Sequence, residues 1–295
     1  MVAVIIVEPF FESVVRDHSK GHAVTASSST TRSPGYRYTT LADSVLLRVH
    51  RLVDTLRVMP SHPSVQSTVV RLDKALTAAR QLFELYPKPR PVGAPQKVYR
   101  GIPPAVVQSV TAGFEAFAEE LVVVVMLAHG HSWAQIAANA NLTNPTLRTL
   151  SESLKHVSGI DVSRAGTWSL RVWRQSGAKM TSWSRTRSRS WNDVLDDADG
   201  WMQVRHCLTH GLVTGTEPAV WPGPVTRKSF ASQAGVAAAS HVLAESGTKR
   251  ALRLYSALNA GLVYSHGAAR IADTVAESLG EIVDTTKLTT KFDTV

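Results

Sequence analysis

Eight consecutive apolar residues, Leu121–Ala128, constrain the fold of this 295-residue chain more than any other feature. A membrane-spanning helix needs about 20 apolar residues, so the run is too short to cross a bilayer. Two acids, Glu119 and Glu120, come directly before it. The run therefore predicts a helix buried inside the protein, beginning near Pro103 and ending near His129, and it indicates no association with a membrane.

Apolar residues at helical spacing recur through most of the chain. They predict further helices at about 41–56, 65–85, 132–138, 145–157, 192–210, 228–245 and 249–283. In the helix at 145–157, Pro145 suits the first turn and Asn144 suits the N-cap. The sequence has no strand-rich block and no internal repeat, so the expected fold class is all-α.

Four prolines between Pro87 and Pro95 predict an extended linker, because proline lacks a backbone N–H and fixes the φ angle. We place a domain boundary at this linker. Residues 1–95 are then an N-terminal segment, with a helical hairpin at about 41–86 and a flexible stretch, rich in Ser, Thr, Gly and His, at 17–38. Residues 96–295 form a helical domain.

Lys and Arg outnumber Asp and Glu by 32 to 23, which gives a net charge of +9. This balance fits a polyanionic partner, and it also fits a merely basic soluble protein. Seven of the cations lie between residues 163 and 190, a stretch that has no acid and contains tryptophans. It is either a surface that binds nucleic acid or a solvated loop whose tryptophans dock in the core. The candidate RNA-binding residues are Arg171, Arg174, Lys179, Arg185, Arg187 and Arg189.

The stretch Trp201–Gly211 places an arginine and two histidines at the end of a predicted helix. Gly211 predicts the helix stop, because glycine readily adopts the left-handed conformation. Arg205 and His210 lie about 140° apart around an ideal helix and do not share a face, whereas His206 and His210 do. Arg205 and His210 can converge on one substrate only if the last turn unwinds or the Arg205 side chain curls around the axis.

Nucleophilic catalysis by the cysteine and metal binding by the histidines are two other kinds of chemistry that this helix end could carry. Cys207 is expected on the core side of the helix, as a small buried residue and not as a nucleophile. His206 and His210 have the spacing of a metal-binding pair, but no nearby carboxylate or second cysteine completes a site, so no metal is expected. A single cysteine also suits a cytoplasmic location.

The segment Arg205-His206-Cys207-Leu208-Thr209-His210 resembles the Arg-polar-x3-His signature of the HEPN superfamily of helical ribonucleases. An upstream segment, Gly113-Phe114-Glu115-Ala116-Phe117, is similar to the Phe-Glu-x-Phe-type segment of its abortive-infection and toxin members. The resemblance covers roughly residues 98–270. It implies a HEPN-like helical bundle, preceded by the N-terminal hairpin.

The resemblance also implies a function, a metal-independent endoribonuclease of toxin or antiviral (abortive-infection) defence that needs no cofactor. Arg205 would then stabilise the charged phosphate, His210 would transfer protons, and His206 would orient or supplement them. Such proteins dimerise so that two motifs face one composite cleft. The expected partners are RNA, a second copy of the chain as a homodimer, and an antitoxin or a phage-derived trigger.

Two functions of other classes stay open. Residues 133–150 resemble the helix-turn-helix of DNA-binding regulators, in which Thr146 and Arg148 would lie on the second helix. The other possibility is a helical interaction module without catalysis, such as an antitoxin or a sensor subunit.

Overall fold

Helices make up most of the part of the chain that the computed structural model describes, which comprises residues 63–85, 99–164, 167–174, 186–222, 239 and 241–293. In chain order the helices are α1 (Val65–Glu84), α2 (Ile102–Ala128), α3 (Trp133–Asn139), α4 (Leu147–Ser158), α5 (Trp191–Thr209), α6 (Leu254–Leu279) and α7 (Thr286–Thr290). The strands β1 (Ser169–Trp173) and β2 (Thr186–Ser190) form one antiparallel hairpin, and β3 (Ala244–Ser246) and β4 (Lys249–Ala251) form another.

The mainly helical class is confirmed, and the two hairpins are departures from the predicted all-α class. The predicted helix at 228–245 ends instead in β3, and the one predicted from 249 begins only at Leu254, after β4. Residues 223–238 lie outside the described residues. Three-residue strands such as β3 and β4 are too short to show a period of two in the sequence.

Helix α2 contains the apolar run and contacts α1, α4, α5 and α6. The fully or almost fully buried residues of the run are Leu121, Val122, Val124, Val125 and Met126. The prediction of a buried helix from about 103 to 129 is confirmed to within one residue at each end. None of the helices in the described part combines the length and the apolar character that a bilayer crossing requires.

Helix α1 matches the helix predicted at 65–85 and belongs to the same core as α2. Ser64 caps it, since its side chain accepts a hydrogen bond from the backbone N–H of Ser67. Residues 60–295 form one compact unit, so α1 joins the bundle although the predicted boundary separates it from α2. The predicted linker at 87–95, the flexible stretch at 17–38 and the helix at 41–56 lie outside the described residues.

Helix α5 carries the Arg205–His210 segment and confirms the helix predicted at 192–210. It begins after Ser190, whose side chain accepts a hydrogen bond from the backbone N–H of Asp193. It ends at Thr209 with His210 as the C-cap, and Gly211 follows with a φ of 65°. The N–H of Leu212 donates to the carbonyl of Cys207 at 2.9 Å, which closes the turn in the usual manner of a glycine-terminated helix. Gly211 as the helix stop is confirmed.

The apolar face of α5 fixes the helix in the bundle. Trp201, Val204 and Cys207 are at most 1% exposed and face the core. Tyr264 on α6 is fully buried, and its hydroxyl donates to the carbonyl of Ala198 at 2.9 Å. These contacts leave the last turn of α5 as the part that reaches solvent, because His210 and the residues around it are exposed.

The β1–β2 hairpin occupies part of the 163–190 stretch, in which the sequence predicts no helix or strand. Leu170 and Val172 alternate with exposed residues along β1, and both are buried. Strand β2 has the sequence Thr-Arg-Ser-Arg-Ser and no apolar residue, so hydrophobic spacing gives no sign of it. Its pairing with β1 supplies the backbone hydrogen bonds that make it a strand.

Helices α3 and α4 confirm the two short helices predicted at 132–138 and 145–157, within two residues at each end. The N-cap of α4 is Thr146 and not Asn144, because the Thr146 hydroxyl accepts from the N–H of Thr149. Asn144 lies in the connecting loop with a φ of 50°. It is therefore a loop residue in the left-handed region, and its side chain is free for another contact.

Candidate active site at the end of helix α5

The Arg205 side chain is held by two partners from other parts of the fold. Its Nη2 donates to Oε2 of Glu115 on α2 at 2.9 Å. Its Nη1 donates to Oδ1 of Asn144, in the loop between α3 and α4, at 3.0 Å. The side chains of Arg205 and Glu115 are 22% and 20% exposed, so the pair is shielded from most of the solvent while the guanidinium still reaches it.

Glu115 lies beside Arg205 because the aromatic residue before it anchors α2 in the core. The Phe114 ring is fully buried and lies 4.7 Å from the Tyr264 ring, measured between centroids. Tyr264 in turn bonds the backbone of α5 two turns before Arg205. Burial raises the pKa of the Tyr264 phenol well above its usual range, so the hydroxyl remains a hydrogen-bond donor.

His206 and His210 stand one turn apart on α5, and their rings are in contact. The ring centroids are 4.4 Å apart with an interplanar angle of 51°, which confirms that the two residues share a face. Burial lowers the pKa of His206, and the neighbouring His210 and Arg205 lower it further. His206 is therefore neutral at neutral pH and can accept a proton.

Arg205 and His210 do not meet within the described residues. The last turn of α5 remains hydrogen-bonded, with the N–H of His210 donating to the carbonyl of His206 at 3.1 Å. Because this turn does not unwind, the two side chains stay on different sides of the helix, as ideal geometry predicts. His206 adjoins both of them, since its ring contacts His210 and the charge of Arg205 affects its pKa.

Cys207 lies on the core side of α5, as predicted, and is fully buried. Its Sγ donates to the carbonyl of Pro222 at 3.5 Å, and burial raises the pKa of the thiol. A buried thiol with a raised pKa is a poor nucleophile. Among the described residues, no group of three or more His, Cys, Asp or Glu side chains is placed to hold a metal ion.

The candidate RNA-binding arginines of the β1–β2 hairpin are divided between its two faces. Arg189 pairs with Leu170 and Arg187 with Val172, so both arginines share the face of the buried residues of β1. Side chains alternate between the faces of a strand, so Arg171 lies on the opposite face and is exposed. The arginines thus do not form one patch.

Arg189 is engaged in the fold. Its Nε and Nη2 donate to the two carboxylate oxygens of Asp197 on α5, at 2.8 and 2.6 Å. Asp197 is 4% exposed, and Nε2 of His241 lies 3.3 Å from one of its oxygens. A bidentate pair with a buried carboxylate ties β2 to α5, which argues against Arg189 as a contact for RNA.

The other candidate cations differ in their freedom to bind RNA. Arg187 is half-buried with an Nε that has no hydrogen-bond partner among the described residues, and burial lowers its pKa. Arg174 is exposed, and its Nε donates to the carbonyl of Thr186 at 3.2 Å. Lys179 and Arg185 lie outside the described residues. Arg171 and Arg174 are therefore the exposed members of the predicted set in the described part.

The three tryptophans of this region that the structure describes, Trp168, Trp173 and Trp191, dock against other side chains, which favours the second interpretation of the stretch. Trp168 and Trp191 meet edge to face, with their ring centroids 5.5 Å apart. The guanidinium of Arg270 lies over both rings. Trp173 lies against Tyr255 at 5.4 Å. Rings that are packed in this way are not free to stack on bases.

The helix-turn-helix interpretation places Thr146 and Arg148 on a DNA-reading helix, but the structure engages both within the fold. Thr146 is 7% exposed and caps α4. Arg148 donates to Asp199 at 2.8 Å and to Asp196 at 2.5 Å, both on α5. In the described part, these contacts fix α4 against α5 and leave Arg148 committed to acidic partners.

Two residues of the site, Glu115 and Asn144, were not predicted as functional. Both are remote in sequence from their partner Arg205, by 90 and 61 residues. The available signal for Glu115 was its place inside the Phe-Glu-x-Phe segment, directly after a core aromatic residue. For Asn144 the sequence offered only a helix cap, and no local signal pointed to Arg205.

Comparison of the chain with protein-family models, with curated proteins and with solved structures gives no match. The chemistry of the side chains at the end of α5 is therefore the basis on which a function is assigned.

Proposed function

We propose that this protein is a metal-independent endoribonuclease of the HEPN type, acting in the cytoplasm in toxin or antiviral (abortive-infection) defence. One observation carries the proposal. A guanidinium fixed by Glu115 and Asn144 lies beside a contacting pair of histidines at the solvent-facing end of a helix. A cation for phosphate and a base that is neutral at neutral pH are the groups that RNA cleavage through its own 2′-hydroxyl requires.

Arg205 supplies the phosphate-binding group. A guanidinium has five N–H donors, and two of the Arg205 donors bind Glu115 and Asn144. The other three have no partner in the part of the chain that the structure describes, so they can bind the non-bridging oxygens of a phosphate. The negative charge on these oxygens increases when the 2′-oxygen attacks, so a guanidinium that is already oriented stabilises the transition state more than the substrate.

His206 and His210 supply proton transfer. His210 is the exposed ring at the helix end and is proposed to exchange a proton with the reacting oxygens. His206 is partly buried, has a lowered pKa and contacts the His210 ring. It is proposed to orient His210 and to supplement it as a neutral base.

A homodimer completes the proposed mechanism. In an in-line displacement the attacking and leaving oxygens lie on opposite sides of the phosphorus, whereas the two rings of one chain are in contact and serve one side. A twofold axis repeats every residue across the interface, so a second copy supplies the histidines of the other side. RNA and a second copy of the chain are therefore the proposed partners, with an antitoxin or a phage-derived trigger as the regulator.

One alternative keeps specific support, namely a helical interaction module without catalysis. The ion pair with Glu115 already gives Arg205 a structural role, since it joins α5 to α2. A DNA-binding regulator has less support, because Arg148 on α4 is paired with Asp196 and Asp199. The alternatives are separated by measuring cleavage directly.

The test is cleavage of single-stranded RNA in the presence of EDTA. We expect the wild-type protein to cleave, and Arg205→Ala and His210→Ala to lose about 10²-fold or more, the usual cost of removing a charge-stabilising or proton-transferring group. His156→Ala is the matched control, because this histidine is exposed on α4, in another helix. Strict dependence on an added divalent ion, or full activity in Arg205→Ala, contradicts the proposal.

The composite site has its own test. An equimolar mixture of Arg205→Ala and His210→Ala contains heterodimers with one intact arginine and one intact histidine, and we expect it to recover a fraction of the wild-type rate. Full activity in a protein shown to be monomeric by sedimentation rules out the composite site.

A further inference from the structure

The backbone of Asn144 adopts a conformation that its local sequence disfavours. It has a φ of 50°, and among the described residues it is the sole residue other than glycine with a positive φ. Asparagine tolerates the left-handed region better than most residues, but Pro145 follows and biases the preceding residue towards extended conformations. A conformation that runs against both preferences indicates that the surrounding structure imposes it.

The residues after Asn144 supply that constraint. Pro145, Thr146 and Leu147 are buried, and Thr146 and Thr149 cap the start of α4 with reciprocal hydrogen bonds. Leu147 packs so closely on α6 that a Cβ atom built at Gly267 would lie 2.3 Å from its Cδ1. The loop is therefore anchored directly beside Asn144, whose own side chain is exposed and directed to Arg205.

The orientation of the Asn144 amide follows from its partner. A guanidinium has no acceptor, so the atom facing Nη1 of Arg205 must be the carbonyl oxygen Oδ1. The amino group Nδ2, which is bonded to the same carbon as Oδ1, then carries two N–H donors. Among the hydrogen bonds of the described residues none uses Nδ2 of Asn144. Two donors of Asn144 without a partner among the described residues thus lie next to three such donors of Arg205.

We infer that Asn144 is a substrate-binding residue of this site. Its Oδ1 orients the Arg205 guanidinium, and its Nδ2 donates to a non-bridging oxygen of the same RNA phosphate. The inference rests on the proposed function for the identity of the substrate. It assigns a second phosphate-binding group to a loop that the Arg205–His210 segment does not include.

Three variants separate this role from a purely structural one. Asn144→Gly removes the side chain and still allows a positive φ. Asn144→Asp keeps an acceptor for Arg205 and tolerates the left-handed region, but it removes the donors and adds a negative charge that repels a phosphate. Asn141→Asp is the matched control, since it makes the same change of charge at an exposed residue of the same loop.

The first readout is binding of a fluorescently labelled 2′-O-methyl RNA oligonucleotide, which cannot be cleaved through its 2′-oxygen. We expect Asn144→Asp to raise the Kd by about tenfold or more and Asn144→Gly to raise it several-fold. Asn141→Asp should change the Kd by less than about twofold, the small effect of a screened surface charge. If Asn144→Asp binds as tightly as Asn141→Asp, the donor role is overturned. That result means that Asn144 only positions Arg205, since aspartate keeps the acceptor that this role requires.

The second readout is cleavage of ordinary RNA, where we expect both Asn144 variants to lose about 10- to 100-fold in kcat/KM while their melting temperatures stay close to that of the wild type. Wild-type activity in Asn144→Gly overturns the inference. If the wild-type protein binds the oligonucleotide through Asn144 but cleaves no RNA, the proposed function fails and the binding role stands. If the wild-type protein binds no RNA, both fail.

Discussion

Replacing Glu115 by glutamine tests the ion pair that fixes Arg205. The substitution keeps the shape of the side chain and one carbonyl acceptor, but it removes the negative charge that faces Nη2 of Arg205 at 2.9 Å. The structure predicts two consequences. The fold becomes less stable, and the guanidinium becomes less well oriented for a phosphate.

The exposure of the Arg205–Glu115 pair determines how much stability the substitution costs. Fully exposed ion pairs contribute about 0–1 kcal/mol, whereas removing one partner of a buried pair costs about 3–5 kcal/mol. Arg205 and Glu115 are 22% and 20% exposed, so the pair lies between these limits. Because glutamine retains a neutral hydrogen bond, we expect a loss of about 1–2 kcal/mol, or roughly 2–8 °C in melting temperature for a unit of this size.

We expect transition-state stabilisation to fall by the same amount of free energy, because the Arg205 guanidinium is less well oriented without the ion pair. A loss of about 1–2 kcal/mol in transition-state stabilisation corresponds to a decrease of about 5- to 30-fold in kcat. KM should stay constant or decrease, because one negative charge near the phosphate has been removed. This division between kcat and KM distinguishes a misplaced cation from a general loss of folded protein.

The assay is steady-state cleavage of a single-stranded RNA, combined with thermal unfolding of the same samples. Glu217→Gln is the control, because the Arg100–Glu217 pair has a similar distance, 2.8 Å, but side chains that are 36% and 71% exposed. We expect this control to change the stability by less than about 1 kcal/mol and to leave cleavage unchanged. If the Glu115→Gln variant has wild-type stability and wild-type kcat, the ion pair neither stabilises the fold nor orients Arg205.

Two further predictions follow from the other charged groups. Arg189→Ala should lower the free energy of unfolding by about 3 kcal/mol, because it leaves the carboxylate of Asp197, which is 4% exposed, without its bidentate partner. Arg171→Ala should change stability by less than about 0.5 kcal/mol and reduce the salt dependence of RNA binding by about one released ion. If the two variants lower stability equally, the assignment of Arg189 to the fold and of Arg171 to RNA binding is contradicted. His206 has a lowered pKa in the folded protein, so its contribution to stability is present above the unfolded pKa of about 6.5 and is lost as the pH falls through the folded value. Melting temperatures measured from pH 7.5 to 5.5 should therefore decrease more steeply for the wild type than for His206→Asn, and parallel curves contradict the prediction.

The helices that build the site could be predicted from the sequence because their signals are local. The apolar run at 121–128 marked α2 as a buried helix, and Gly211 marked the end of α5. The shared face of His206 and His210 followed from their spacing alone. Each of these predictions depends on residues within one or two helical turns of each other.

The partners of Arg205 could not be predicted, because they depend on packing between distant segments. Glu115 meets Arg205 through the way α2 and α5 pack, and Asn144 meets it through a loop whose conformation opposes local preference. The inward direction of Arg187 and Arg189 likewise depends on the register of a strand that has no apolar residue. A stretch of cations gave the sign of the charge but not the face on which each cation lies.

The central claim is that the end of α5 cleaves RNA through its 2′-hydroxyl, and analysis of the product ends tests it most directly. The purified protein is incubated with RNA in EDTA, and the termini are identified by mass spectrometry, with Arg205→Ala as the control for contaminating nucleases. We expect 2′,3′-cyclic phosphate, or its hydrolysed form, together with 5′-hydroxyl ends, and no cleavage where the attacking 2′-hydroxyl is replaced by hydrogen. Products with 5′-phosphate ends, cleavage at the 2′-deoxy position, or equal products from Arg205→Ala contradict it.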